Sequence, residues 1–180
     1  MSRRLMFSCA ALAAAIALAL PAQAPAQATA QTPAKKAAAP KAGTAKGAAK
    51  KSGTARTLEL VGTDTLKFQP ATLRAKPGET IRVVLKVTGM MPKAAMAHNF
   101  VLLSLKTDAN AFAQAASRAR TTDYIPAANK ADILANTGLA GANETVEVTF
   151  TAPKEAGTYT FICSFPAHFQ GGMKGQLIVG

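Results

Sequence analysis

Three side chains suited to a soft metal ion are strongly clustered in this chain, and a fourth lies far upstream. The stretch "FICSFPAHFQGGMKG" (161–175) holds Cys163, His168 and Met173, and the chain has only two His and two Cys in all. The other histidine, His98, opens "HNFVLLSL" far upstream. Thiolate favours Cu(I), imidazole suits either copper oxidation state, and a distant thioether gives a weak axial contact. Two His and one Cys in a trigonal plane with a long axial Met is the arrangement of type 1 copper. Zinc also accepts His₂Cys, but a structural zinc site takes a fourth strong ligand, which Met is not. Taken singly, each residue has an ordinary reading: a buried small apolar Cys, a core or turn His, a core-filling Met. One ion accounts for all four at once.

Positioning those residues requires strands. "TIRVVLKV" (80–87) alternates Ile81, Val83, Leu85 and Val87 with polar neighbours, and "ETVEVTFT" (144–151) does the same with Val146, Val148 and Phe150. "GTYTFIC" (157–163) puts Tyr159, Phe161 and Cys163 on one side. Period-two alternation of β-rich residues predicts half-buried strands. Further strands are expected at 57–61, 66–74, 98–105 and 174–179, with turns at "KPGET" (76–80) and "KEAGT" (154–158). Cys163 then ends one strand and Met173 begins the next, so the turn between them can fold three donors round one point. "TDANAFAQAASRAR" (107–120) departs from this pattern: Asp108 is a plausible N-cap before strong helix formers, which predicts a short helix. Residues 121–143 read as irregular connection with one helical turn near Lys130–Ala135. The fold class is all-β with one short helical insertion, a sandwich or barrel.

The 180 residues divide unevenly. Residues 1–28 read as a secretory signal peptide: Arg3 and Arg4, an apolar run from Cys9 to Leu20, then small-residue cleavage signals at Ala24, Ala28 or Ala30. The run is shorter than the ~20 residues a membrane span needs, so no transmembrane segment is expected in the mature chain. Residues 29–56 are Ala/Lys/Pro-rich, hold no large apolar side chain, and read as a disordered linker. Residues 57–180 are the folded domain. All nine acidic residues lie there with 12 of the 21 basic ones, so most of the formal +12 belongs to the leading segments. A lysine tail can neutralise phosphates, but an exported chain is not expected to meet nucleic acid. Cys163 is the domain's single cysteine, which leaves no internal disulfide.

The segments "MAHNFVLLS" (96–104) and "YTFICSFPAHFQGGMKGQLIV" (159–179) resemble the cupredoxins, most closely the azurin and auracyanin group. The resemblance covers all of 57–180. It implies a Greek-key β-sandwich with type 1 copper at one end, His98, Cys163 and His168 as equatorial ligands and Met173 as the axial one. It also implies a weak backbone contact from Ala97, where azurins carry Gly. "FQGG" places four residues between His168 and Met173, the plastocyanin spacing, while the Cys-to-His spacing is that of azurins. Asn99 and Ser164 resemble the outer residues that join the two ligand segments and donate near the sulfur.

These readings converge on a periplasmic, monomeric one-electron carrier, not an enzyme, since two His already used as ligands cannot build a second copper centre. A redox partner protein is expected to dock near His168, on an apolar rim of Phe165, Pro166, Ala167 and Phe169 with Met90, Met91 and Met96. The alternative is a copper carrier or storage module of the cell envelope, suggested by the Met-rich 90–96 stretch.

Overall fold

Strand alternation beginning at Arg56 builds two mixed sheets that face each other across one apolar layer. The computed structural model describes residues 54–180; the expected signal peptide and all but the end of the expected linker lie outside the described residues. Among the described residues there are nine strands: β1 Arg56–Thr63, β2 Lys67–Gln69, β3 Thr72–Ala75, β4 Thr80–Thr88, β5 Val101–Leu103, β6 Ile133–Asn136, β7 Thr145–Thr151, β8 Gly157–Ile162 and β9 Lys174–Val179. The first sheet has the order β2-β1-β4-β7 and the second β3-β9-β8-β5-β6. β1 runs parallel to β4 over its whole length, from Arg56 opposite Ile81 to Thr63 opposite Thr88. β3 runs parallel to β9, and β8 antiparallel to both β9 and β5. The expected all-β sandwich is the observed architecture.

Leu60, Ile81, Val83 and Leu85 of the first sheet meet Leu102, Phe161 and Leu177 of the second, and Phe100 just before β5, in one buried cluster that also holds Cys163 and Met173. Phe161 is its aromatic hub, 5.4 Å from the Phe68 ring and 5.1 Å from that of Phe100. The second sheet is covered on its outer face as well. Helix α1, Ala109–Ser117, begins at Asp108, whose carboxylate accepts from the backbone N–H groups of Asn110 and Ala111. Its buried Phe112, Ala113 and Ala116 pack on Val101, Leu103 and Ile162. This is why β5 is buried on both faces and does not alternate.

Four boundaries differ from the sequence reading. The single strand expected at 66–74 is two, because the chain passes from the first sheet to the second at Pro70 and Ala71. The strand expected at 98–105 shrinks to Val101–Leu103, with His98 held in an isolated bridge to Ala140. Residues 121–143 contain the edge strand β6, preceded by a 3₁₀ segment at Ala127–Asp132, instead of bare connection with a helical turn at Lys130–Ala135. Arg56, placed at the end of the linker, is the first residue of β1, where its guanidinium pairs with Glu79 at 2.6 Å.

Candidate metal centre

The bridge that fixes His98 is doubly hydrogen-bonded. The His98 N–H donates to the Ala140 carbonyl and the Ala140 N–H donates back, both at 2.8 Å. The main chain therefore cannot rotate the ring away. Cys163 lies just past the end of β8, its N–H donating to the Met173 carbonyl, and the Met173 N–H donates to the His168 carbonyl. These bonds close the 163–173 turn on itself. Gly172 completes it at φ +93°, a left-handed conformation that glycine adopts freely.

Three donor atoms from these two segments converge. Nδ1 of His98 is 3.1 Å from Nδ1 of His168, and Cys163 Sγ is 3.4 Å from His168 Nδ1 and 3.9 Å from His98 Nδ1. All three side chains are buried. A metal ion bonded at the usual ~2.0 Å to imidazole and ~2.3 Å to thiolate spreads trigonal donors by about 3.5–3.7 Å, and the observed separations bracket that range. His98 Nε2 is buried without a hydrogen-bond partner. Its ring is thus oriented by what Nδ1 faces and not by a bond on its far side. The donor set fits one thiophilic ion.

Met173 is fully buried in the same cluster. A Cβ built on Gly62 would sit 3.2 Å from the Met173 methyl carbon and 3.4 Å from Cδ2 of His98, so the Met and the histidine share a neighbour in β1. The Ala97 carbonyl is 3.8 Å from Cys163 Sγ. Asn99 clamps the two segments. Its Nδ2 donates to Ser164 Oγ, and its Oδ1 accepts from the Ser164 N–H, both at 2.8 Å. The backbone N–H groups of Asn99 and Phe165 lie beside the sulfur.

Burial decides the protonation states. It pushes the Cys163 thiol up to about 12, against those two N–H groups. It lowers His168 to about 4, helped by repulsion from His98. His98 is lowered by the same desolvation, opposed by nearby Asp64. A cation must therefore displace one proton, from sulfur, while both imidazoles are neutral and ready to donate.

His168 is only 4 % exposed. Its ring packs on Phe165 at 4.7 Å between centroids, and Phe165 in turn meets Tyr124 at 5.0 Å. Tyr124 comes from the insertion and was not among the sequence-predicted rim. Of that rim, Ala167 is exposed while Phe165, Pro166 and Phe169 are half-buried. Met90 and Met91 are exposed, at 94 % and 45 %. Gly62, Ala140 and Tyr124 escaped the sequence reading because nothing in their types announces a metal centre; only the chain's path brings them there.

Comparison with known proteins agrees with this geometry. A family model described as "Copper binding proteins, plastocyanin/azurin family" matches residues 55–180. The chain is 36 % identical over 127 residues to azurin of Alcaligenes faecalis, covering 68 % of this chain and 97 % of the azurin. It is 33 % identical over 124 residues to the copper-resistant cuproprotein CopI of Rubrivivax gelatinosus, covering 69 % of this chain and 66 % of that one. The solved structure of auracyanin A, a "blue" copper protein from Chloroflexus aurantiacus, superposes with a TM-score of 0.59 at 36 % identity, covering 69 % of this chain and 98 % of its own.

Proposed function

Because the chain belongs to the plastocyanin/azurin family of copper-binding proteins, we propose that it carries single electrons through one type 1 copper held by His98, Cys163, His168 and Met173. The observation that carries this reading is the convergence of two Nδ1 atoms and one Sγ within 4.8 Å of one another, all buried. Copper bound there supplies one couple, Cu(I)/Cu(II), and with it the capacity to take up and release one electron.

The rest of the chemistry belongs to the protein. Cys163 gives up its proton on loading and contributes the strongest donor. His98 and His168 contribute neutral Nδ1 atoms. Met173 adds a weak, soft donor, and the Ala97 carbonyl a weaker one. The Ala140 bridge and the Asn99–Ser164 clamp hold these donors in place and would orient them for the ion. The backbone N–H groups beside Sγ favour the anionic sulfur. Burial excludes water, which would otherwise bind the oxidised ion.

The edge of His168 is the nearest ligand to solvent, and the Phe165–Tyr124 surface beside it suits a small, apolar docking contact with a redox partner protein. The leading signal-like segment supports a periplasmic location, and the reading is of a monomeric carrier, not an enzyme. Optical and paramagnetic-resonance spectra of the copper-loaded protein test this. An intense visible band with narrow copper hyperfine splitting is expected, and Cys163→Ser should abolish the band while the domain stays folded. A band that survives the substitution would refute the assignment.

A second reading, copper carriage or storage, is favoured by the exposed Met90 and Met91 and by the similarity to CopI. Rapid loss of copper to a chelator, without reversible voltammetry, would select it.

A further inference from the structure

The ligands come from two segments, yet a third one presses on them. The β1–β2 hairpin lies against the ligand turn at three successive residues. A Cβ on Gly171 would lie 2.4 Å from Leu66 Cδ1, one on Gly172 would lie 2.5 Å from Lys67 Nζ, and Gly62 faces the Met173 methyl and the His98 ring. Lys67 also donates to the Gly171 carbonyl at 3.4 Å. At two of these contacts the ligand turn gives way by being glycine. At the third it is the hairpin that gives way, at Gly62.

From this geometry we infer that Gly62 is a positioning residue for the copper site: the missing side chain in β1 fixes how the Met173 thioether lies at the centre. The inference rests on Met173 as the axial ligand. Gly62 is buried in mid-sheet, paired with Val87 on one side and Phe68 on the other. Nothing in that backbone demands glycine, because its φ is not in the left-handed range, and glycine inside a strand is unfavourable. What demands it is space. A methyl group here meets the Met173 methyl at 3.2 Å, so one of the two must give by a few tenths of an ångström. β1 is held by β4 along its whole length and by β2 at its end, whereas the Met side chain has three soft torsions. The thioether gives way. A weak axial donor is the part of such a site whose distance responds to a small push, and it tunes the potential.

The test compares Gly62→Ala with Gly157→Ala in the copper-loaded protein. Gly157, at the start of β8, has an equally tight nearest contact, 3.2 Å to Leu105, but no copper-ligand atom is among its nearest neighbours. The expected result is that Gly62→Ala shifts the reduction potential and the copper hyperfine splitting, while Gly157→Ala leaves both unchanged. The Gly62→Ala shift should also vanish in a Met173→Leu background. Met173→Leu alone should raise the potential; if it does not, the axial assignment fails, independently of Gly62. If it does and Gly62→Ala matches Gly157→Ala, or its shift persists without the thioether, the inference about Gly62 is wrong. Should Gly62→Ala not fold, the Cu(I) wild type decides: a nuclear Overhauser contact between the Gly62 α-protons and the Met173 methyl is expected, and its absence overturns the inference.

Discussion

Asn99 offers the metal nothing, yet it decides whether His98 and Cys163 stay together. Its amide is buried and satisfied on both sides by Ser164, the residue following Cys163. Asn99→Ala would leave the Ser164 N–H and hydroxyl buried without their partner. Each stranded group costs about 1–3 kcal/mol, so denaturant unfolding of the metal-free protein should show a loss of that order, and the visible band of the loaded protein should broaden. Unchanged stability and spectrum would mean that the clamp is dispensable. At this scale the sequence was legible where a residue's type is its chemistry. Cys163, His98 and His168 could be picked out by the scarcity of their types, and Met173 by its spacing from them. Gly62 and Tyr124 could not, because one acts by the space it leaves and the other by the neighbour it meets.

The elements were legible in proportion to their regularity. β4 and β8 alternate or carry long apolar runs and were located to within a residue. β6, "ILAN", is four residues long with one buried side chain, and only its pairing with β5 makes it a strand. The 66–74 segment is rich enough in strand-forming residues to read as one strand, but its apolar phase slips from Leu66 and Phe68 to Leu73 across Pro70, where the chain changes sheets. α1 was announced by its cap, but not its task, which is to cover the outer face of β5 and β8. That task makes a prediction. Phe112 is 1 % exposed and is the only large side chain α1 buries on that face. Truncating a buried Phe costs about 3–5 kcal/mol, so Phe112→Ala should lower stability by that amount. Because α1 packs on the face of the second sheet away from Cys163, the spectrum of the folded, copper-loaded variant should stay that of the wild type. A spectral shift would mean that the helix supports the metal centre directly.

Across the whole molecule, β1 links the two ends of the sandwich. Gly62 lies beneath the metal centre, while Arg56 at the opposite end of the strand donates to both Glu79 oxygens and to the Arg74 carbonyl at the end of β3. This clasp joins a strand of the first sheet to a strand of the second, and its chemistry is pH-dependent. Glu79 accepts from Arg56 and from the Lys76 N–H, and these bonds hold its carboxyl at about 2 instead of the ordinary 4.5. A carboxylate whose folded value is depressed contributes stability above the unfolded value and loses it as pH falls toward the folded one. The window is therefore from about pH 4.5 down to 2. The buried histidines add a separate loss that begins near pH 6.5, because the native state resists protonating them. That loss is common to wild type and variant in the metal-free form, so a difference measurement removes it. Glu79→Gln should be less stable than wild type at neutral pH, and the gap should close as the pH is lowered through that window. Parallel stability curves from pH 6 to 2 would show that the clasp is an exposed pair with no energetic weight, as many surface ion pairs are.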